Sequence, residues 1–211
     1  MADLKALADS IISGNMAKAK ELTQAAVNEN AEPKKILNEG LIAGMNEVGR
    51  RFKNNEFYVP EVLIAARAMH AGMDILKPVL TKSGVQSVAR VAVGTVKGDL
   101  HDIGKNLVVM MLEGAGFEVV DVGVDADPDK FASAVTEKSV KLIGMSALLT
   151  TTMPGMKTTI EALKAKGVRD KVKIMVGGAP LTQEYANEIG ADGYAPDAAS
   201  AVDKAKQLLK I

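Results

Sequence analysis

Cysteine and tryptophan are absent from the 211-residue chain, and histidine occurs only twice, as His70 and His101. Without cysteine there is no disulfide framework, no thiol nucleophile and no thiolate-bound zinc or iron–sulfur centre. Two histidines cannot build a multi-histidine metal site. An excess of either charge is also missing, since 26 Lys+Arg balance 26 Asp+Glu. That balance argues against a nucleic-acid binder working by counterion release. No apolar run approaches the roughly 20 residues that span a bilayer, so no membrane partner is expected. Met1–Lys5 lacks a basic stretch followed by an apolar one, which makes the cytoplasm the expected location.

What the chain does contain falls into two rhythms. Leu4, Leu7, Ala8, Ile11 and Ile12 form one apolar stripe, and Met16, Ala19, Leu22, Ala25 and Ala26 form a second beyond Gly14-Asn15. A third begins near Pro33, where a missing N–H costs nothing, and runs through Leu37, Leu41, Met45, Val48 and Phe52. A fourth opens at Pro60-Glu61, carries Val62, Ala65, Ala66, Met69, Met73 and Leu76, and is expected to stop at Pro78. Four amphipathic helices on short links predict a small bundle over residues 1–82. Gly40, Gly44 and Gly49 interrupt the third stripe. Each costs about 1 kcal/mol relative to alanine inside a helix, which points to close helix packing or to a surface flattened for a bulky ligand.

From Ala89 short β-branched runs alternate with helical stripes. Strands are predicted at 90–96, 117–122, 141–146, 173–176 and about 193–195, with helices at 104–114, 128–138, 154–166, 182–189 and 198–209. Five such alternations predict an α/β fold, a Rossmann-like (flavodoxin-like) five-stranded parallel sheet over residues 89–211. The polar segment 82–88 reads as the linker.

Ligands of such sheets bind beyond the carboxyl ends of the strands. Three loops there carry candidate chemistry. After the first strand comes Gly98-Asp99-Leu100-His101-Asp102-Ile103-Gly104; after the third, Ser146-Ala147-Leu148-Leu149-Thr150-Thr151-Thr152; after the fourth, Gly177-Gly178. His101 lies on a loop, not an apolar stripe, and Asp99 two residues earlier is placed to bind Nδ1–H and turn Nε2 outward, as in carboxylate–histidine–metal arrangements. With no second histidine or cysteine nearby, such an imidazole would be one axial ligand to a metal carried by a cofactor. Two other readings stand beside it: a helix N-cap in which Asp99 or Asp102 satisfies free N–H groups, and an acid–base histidine oriented by Asp99. Gly177-Gly178 suits a tight turn as well as a close-passing ligand. The hydroxyls of Ser146 and Thr150–Thr152 suit capping as well as donation to a ligand. Neither a lysine-bearing phosphate loop nor a dinucleotide fingerprint is present.

The Asp99-Leu100-His101-Asp102-Ile103-Gly104 run resembles the Asp-x-His-x-x-Gly motif of cobalamin-binding domains. Ser146-Ala147-Leu148 with Thr150 is similar to that family's Ser-x-Leu segment, and Gly177-Gly178 to its Gly-Gly. The helical half, including Phe57–Val62, resembles the cap domain of methyl-transferring corrinoid proteins. The relatives in view are the corrinoid proteins of methanol, methylamine and O-demethylase systems and the cobalamin module of methionine synthase.

The resemblance implies a cobalamin or related corrinoid bound base-off, with His101 as the lower cobalt ligand and Asp99 hydrogen-bonded to it. Thr152 stands where methionine synthase extends the relay with a serine, and departs from it by one methyl group. The displaced nucleotide tail would lie along Gly104, Ser146, Leu148, Thr150, Gly177 and Gly178, with Gly98, Leu100, Asp102 and Ile103 completing the cofactor contacts. Tyr58 falls where an aromatic residue covers the upper face, although a plain helix-flanking role suits it too. The implied function is a methyl carrier, not catalytic alone, that accepts a methyl group on cob(I)alamin from a substrate-specific methyltransferase. It would donate that group to a second methyltransferase with a tetrahydrofolate or thiol acceptor, with a reductive activator as a further partner. A radical mutase subunit, a cobalamin sensor and a non-cobalamin interaction module are the alternatives.

Overall fold

The computed structural model describes residues 2–85 and 87–211, so Gln86 of the expected linker lies outside the described residues. The described residues form two compact units, one of 2–85 and 87 with 113–116 and one of 88–112 with 117–211.

The first unit is helical: α1 (Leu4–Ile12), α2 (Met16–Asn28), α3 (Pro33–Lys35), a π-helical segment (Ile36–Ile42) running into α4 (Ala43–Lys53), and α5 (Val59–Lys82). Asp3 and Asn15 start the first two by accepting the Ala6 and Lys18 N–H groups on their side chains. The expected third stripe is broader than a plain helix allows. The π segment buries Ile36, Leu37, Gly40, Leu41 and Ile42, five of its seven residues. Gly40 in this segment and Gly44 in α4 serve packing. A Cβ on Gly40 would lie 2.6 Å from Leu7 Cδ2, and one on Gly44 would lie 2.7 Å from Ile11 Cβ.

Pro78 does not stop α5, contrary to expectation; the helix continues to Lys82. Pro78, which has no N–H to donate to the Asp74 carbonyl, and Asp74 are both exposed, so the missing helix bond costs less than it would in a buried turn. Leu76 and Leu80 stay buried on either side of the proline, and that burial carries the helix onward.

In the second unit β1 (Arg90–Val96), β2 (Glu118–Ala126), β3 (Leu142–Ser146), β4 (Lys173–Gly177) and β5 (Gly193–Tyr194) form a parallel sheet in the order β2-β1-β3-β4-β5. The helices α6 (Asp102–Gly114), α7 (Pro128–Lys138), α8 (Pro154–Ala165), α9 (Gln183–Ile189) and α10 (Ala198–Leu209) alternate with the strands. Between β1 and β3 the strand order reverses direction, creating the crevice where open α/β sheets take their ligands. The strands end nearly level there, since Thr95 pairs with Ser146 and Ser146 with Gly177. On the other side of β1, β2 carries extra residues between the Val93–Asp121, Gly94–Gly123 and Val96–Ala126 pairs. The core is aliphatic, with Ile143, Ile174, Ile160 and Leu163 fully buried around Phe131. No described helix is long and apolar enough to cross a membrane.

Candidate functional site

The β1–α6 loop leaves the sheet at the strand-order reversal, and Asp99 lies within it, fully buried. Its carboxylate accepts four hydrogen bonds, two on each oxygen. Oδ1 takes the His101 backbone N–H and the His101 Nδ1–H, both at 3.0 Å. Oδ2 takes the Leu148 backbone N–H at 2.8 Å and the Thr152 hydroxyl at 2.7 Å. The single Thr152 proton goes to this carboxylate and not to the Leu149 carbonyl at 2.9 Å, because the charged acceptor is the stronger.

Burial pushes the Asp99 carboxyl up, but the Thr152 hydroxyl, the Leu148 and His101 backbone N–H groups and the His101 ring outweigh it. Together they hold the pKa at about 2, below the ordinary 3.8. An ionised carboxylate only accepts hydrogen bonds, so the proton of a neutral His101 sits on Nδ1 and the Nε2 lone pair faces away from Asp99. The His101 side chain is 45% exposed.

A lowered folded pKa means that the ionised form stabilises the apoprotein above pH 3.8, and that the contribution disappears as pH falls towards 2. At about 1.4 kcal/mol per unit this amounts to roughly 2 kcal/mol. Urea midpoints should therefore drop across that window. Thr152→Val removes one donor, should cost about 1–3 kcal/mol at neutral pH, and should move the drop to higher pH. Overlapping midpoint curves for the two proteins would show that the hydroxyl does not hold the carboxylate.

The main chain of Asp99 is anchored from the opposite side. Its carbonyl accepts the Thr95 hydroxyl at 2.5 Å and the Asp125 N–H at 2.9 Å. Thus β1 and β2 hold the backbone of this residue while the loop after β3 holds its carboxylate. Neither Thr95 nor Asp125 was expected from the sequence. A threonine in the last turn of a buried strand reads as an ordinary β residue until its hydroxyl partners are known.

Four large apolar side chains are exposed on these segments: Leu100 (69%) on the β1–α6 loop, Ile103 (75%) in the first turn of α6, and Leu148 (43%) and Leu149 (44%) on the loop after β3. Leu149 was missed by the motif reading, which took its neighbour Leu148. Gly98 takes a positive φ of +82°, turning the chain beneath the loop. Asp102 opens α6 and accepts from the Asn106 amide at 3.2 Å. A Cβ added to Gly104, in the first turn of the same helix, would meet no atom within 4 Å.

Ser146 is half-buried at the end of β3, and Thr150 is exposed in the turn that follows. Gly177 and Gly178 are dictated by the protein's own backbone: a Cβ on Gly177 would lie 2.9 Å from the Ala195 carbonyl oxygen, and one on Gly178 would overlap the Ala147 carbonyl. The structure thus brings together Asp99, His101, Leu148 and Thr152 by direct contact. It sets Ser146 and Gly177 in adjacent register at the same sheet edge. Tyr58 belongs to the helical unit, 63% exposed at the start of α5, where its backbone N–H donates to Glu61.

Comparison with known proteins gives two family matches, both described as a B12 binding domain, one over residues 89–203 and the other over 3–77. A dimethylamine corrinoid protein of Methanosarcina barkeri is 50% identical over 98% of this chain and 97% of its own length. Among solved structures, a cobalamin-binding protein of Desulfitobacterium hafniense is 31% identical, with a TM-score of 0.81 and 98% of each chain covered. A methanol:cobalamin methyltransferase complex from Methanosarcina barkeri matches at 28% identity and a TM-score of 0.86, over 98% of this chain and 79% of the other.

Proposed function

Since this chain belongs to the B12-binding corrinoid proteins, we propose that it is the methyl-carrying component of a methylamine methyltransferase system, and that His101 is the lower axial ligand of its corrinoid. The observation that carries this reading is the imidazole itself. Its Nδ1 is tied to a buried, ionised Asp99, its ring is half-exposed, and the two segments that Asp99 links carry the exposed aliphatic residues Leu100, Ile103, Leu148 and Leu149. An acid–base histidine would be expected among polar groups that can bind a substrate. Four exposed aliphatic side chains on these segments instead suit the flat, largely apolar face of a macrocycle.

When bound, the corrinoid supplies a cobalt centre that takes up and gives back a methyl group. The residues of this chain do the rest. His101 would hold the cobalt through Nε2, and Asp99 fixes the tautomer and orientation of the ring. Thr152 and the Leu148 N–H keep the Asp99 carboxylate ionised and in place, so that it remains an acceptor for the His101 Nδ1–H. Gly104 leaves room beside the loop, and Ser146, Thr150, Gly177 and Gly178 form the edge along which a displaced nucleotide tail would run. In the helical unit, Tyr58 is exposed and available to a ligand, unlike the buried residues of the α5 stripe.

Two proteins are the expected partners, a methyltransferase that loads the methyl group and one that removes it. The similarity to a protein of a methanol:cobalamin methyltransferase complex supports the first. The similarity to a dimethylamine corrinoid protein makes dimethylamine the first donor to test. Reconstituted, reduced protein should acquire radioactivity from methyl-labelled dimethylamine in the presence of its cognate methyltransferase. Corrinoid-replete protein that takes no label from any methylated amine or from methanol would refute the carrier role.

A further inference from the structure

The end of β2 is built abnormally. It carries an extra residue relative to β1 on each side of the Gly94–Gly123 pair, and Asp125 takes a left-handed φ of +49°. Bulges next to ligand sites re-aim side chains, and a non-glycine residue at positive φ persists only where its surroundings hold it. Carboxylates on this stretch reach both the β1–α6 loop and the first turn of α6. Asp125 Oδ1 accepts the Gly98 N–H at 2.8 Å, its Oδ2 reaches Lys97 Nζ at 3.3 Å, and its own N–H donates to the Asp99 carbonyl. Asp121 Oδ2 meets Lys105 Nζ at 2.6 Å, while its Oδ1 accepts the Gly123 N–H and holds the bulge.

Lys105 is the anomaly that needs explaining. Its side chain is 4% exposed, and lysine is almost never buried without a purpose. It stands in the first turn of α6, four residues after His101. Gly98 and Lys105 therefore bracket the histidine, and each is tied to a carboxylate of the same strand.

We propose that Asp121 and Asp125 are positioning residues for His101, a two-point clamp by which the bulged end of β2 fixes both ends of the loop that carries the imidazole. This inference rests on the reading of His101 as cobalt ligand. The Lys97 pair is solvent-exposed and adds little. The backbone bond to Gly98 and the buried ammonium of Lys105 do the holding. A loop fixed at one end only would let the imidazole sample positions from which it does not reach the metal, without changing what binds the rest of the corrinoid.

Cob(II)alamin-loaded protein tests this by electron paramagnetic resonance, because an axial nitrogen splits the cobalt signal into triplets with ¹⁴N and doublets with ¹⁵N. Protein labelled with [¹⁵N]histidine should show doublets. In Lys105→Met and Asp125→Ala, at equal corrinoid content, the split fraction should fall about 3–10-fold, less than loss of a direct partner of the ligand would cause. Asp125→Asn, which keeps an acceptor for Gly98 and tolerates the left-handed backbone, should restore most of it. Unchanged splitting in the two disruptive variants overturns the clamp while leaving His101 as ligand. Absence of a ¹⁵N-sensitive splitting in the unaltered protein overturns the ligand assignment, and the clamp with it. If Lys105→Met does not fold, Asp125→Ala decides alone.

Discussion

A His101→Ala protein reconstituted with hydroxocobalamin is expected to lose the visible spectrum of an imidazole-bound corrinoid and to release the cofactor on gel filtration. Removing an outer partner of a metal-bound histidine already costs about 10–100-fold in affinity, and loss of the imidazole costs at least that. The fold should survive, because the ring is 45% exposed and its removal leaves Asp99 with three donors. Circular dichroism and the urea midpoint should therefore stay near those of the parent chain. Asp99→Asn gives the contrasting pattern. One face of the amide can still accept from His101, but its NH₂ then confronts the Leu148 N–H, so two buried donors oppose each other. That variant should lose about 1–3 kcal/mol of stability as well as cofactor affinity. An alanine variant with an unaltered spectrum would show that the imidazole never reached the metal.

The parts of this site legible in the sequence are those where one local pattern settles the outcome. The run Arg90–Val96 is strand over the whole predicted range, because six of its seven residues are buried and β-branched residues alternate through it. Pro128–Lys138 and Ala198–Leu209 begin and end as their stripes require. The contact of Asp99 with the His101 ring followed from a two-residue spacing within a loop.

What escaped depends on partners distant in the chain. β2 runs four residues beyond its expected end, to Ala126, because Gly123 and Ala126 continue the pairing across bulges that alternation rules read as a turn. Pro78 is carried inside α5 by the burial of Leu80, a tertiary effect that overrides local propensity. The Lys105–Asp121 pair left one trace. Lysine occupies a position seven residues before the fully buried Leu112, on the inward stripe of α6, where a charge must have a partner. Nothing short of the β1–β2 register identifies that partner as Asp121.

Gly178→Ala should be the most damaging small substitution in the α/β unit. At φ of +135° an L-residue is strained wherever it stands, and here the new methyl would also overlap the Ala147 carbonyl. That carbonyl cannot move freely. Ala147 is fully buried and donates its N–H to the Gly177 carbonyl at 3.3 Å, so the loops after β3 and β4 must separate to admit the methyl. Displacing Ala147 also displaces Leu148, whose N–H holds Asp99, and through Asp99 the orientation of His101. Strain and overlap together should cost about 3–5 kcal/mol, and the corrinoid should be bound less tightly in whatever fraction remains folded. Gly167→Ala is the matched control. Its φ of +67° is left-handed too, but an added Cβ meets nothing within 4 Å. Backbone strain alone should cost about 1 kcal/mol there. The difference between the two urea midpoints isolates the approach of Gly178 to Ala147. Equal losses in the two variants would mean that the loops after β3 and β4 part easily, and that neither sets the position of Asp99.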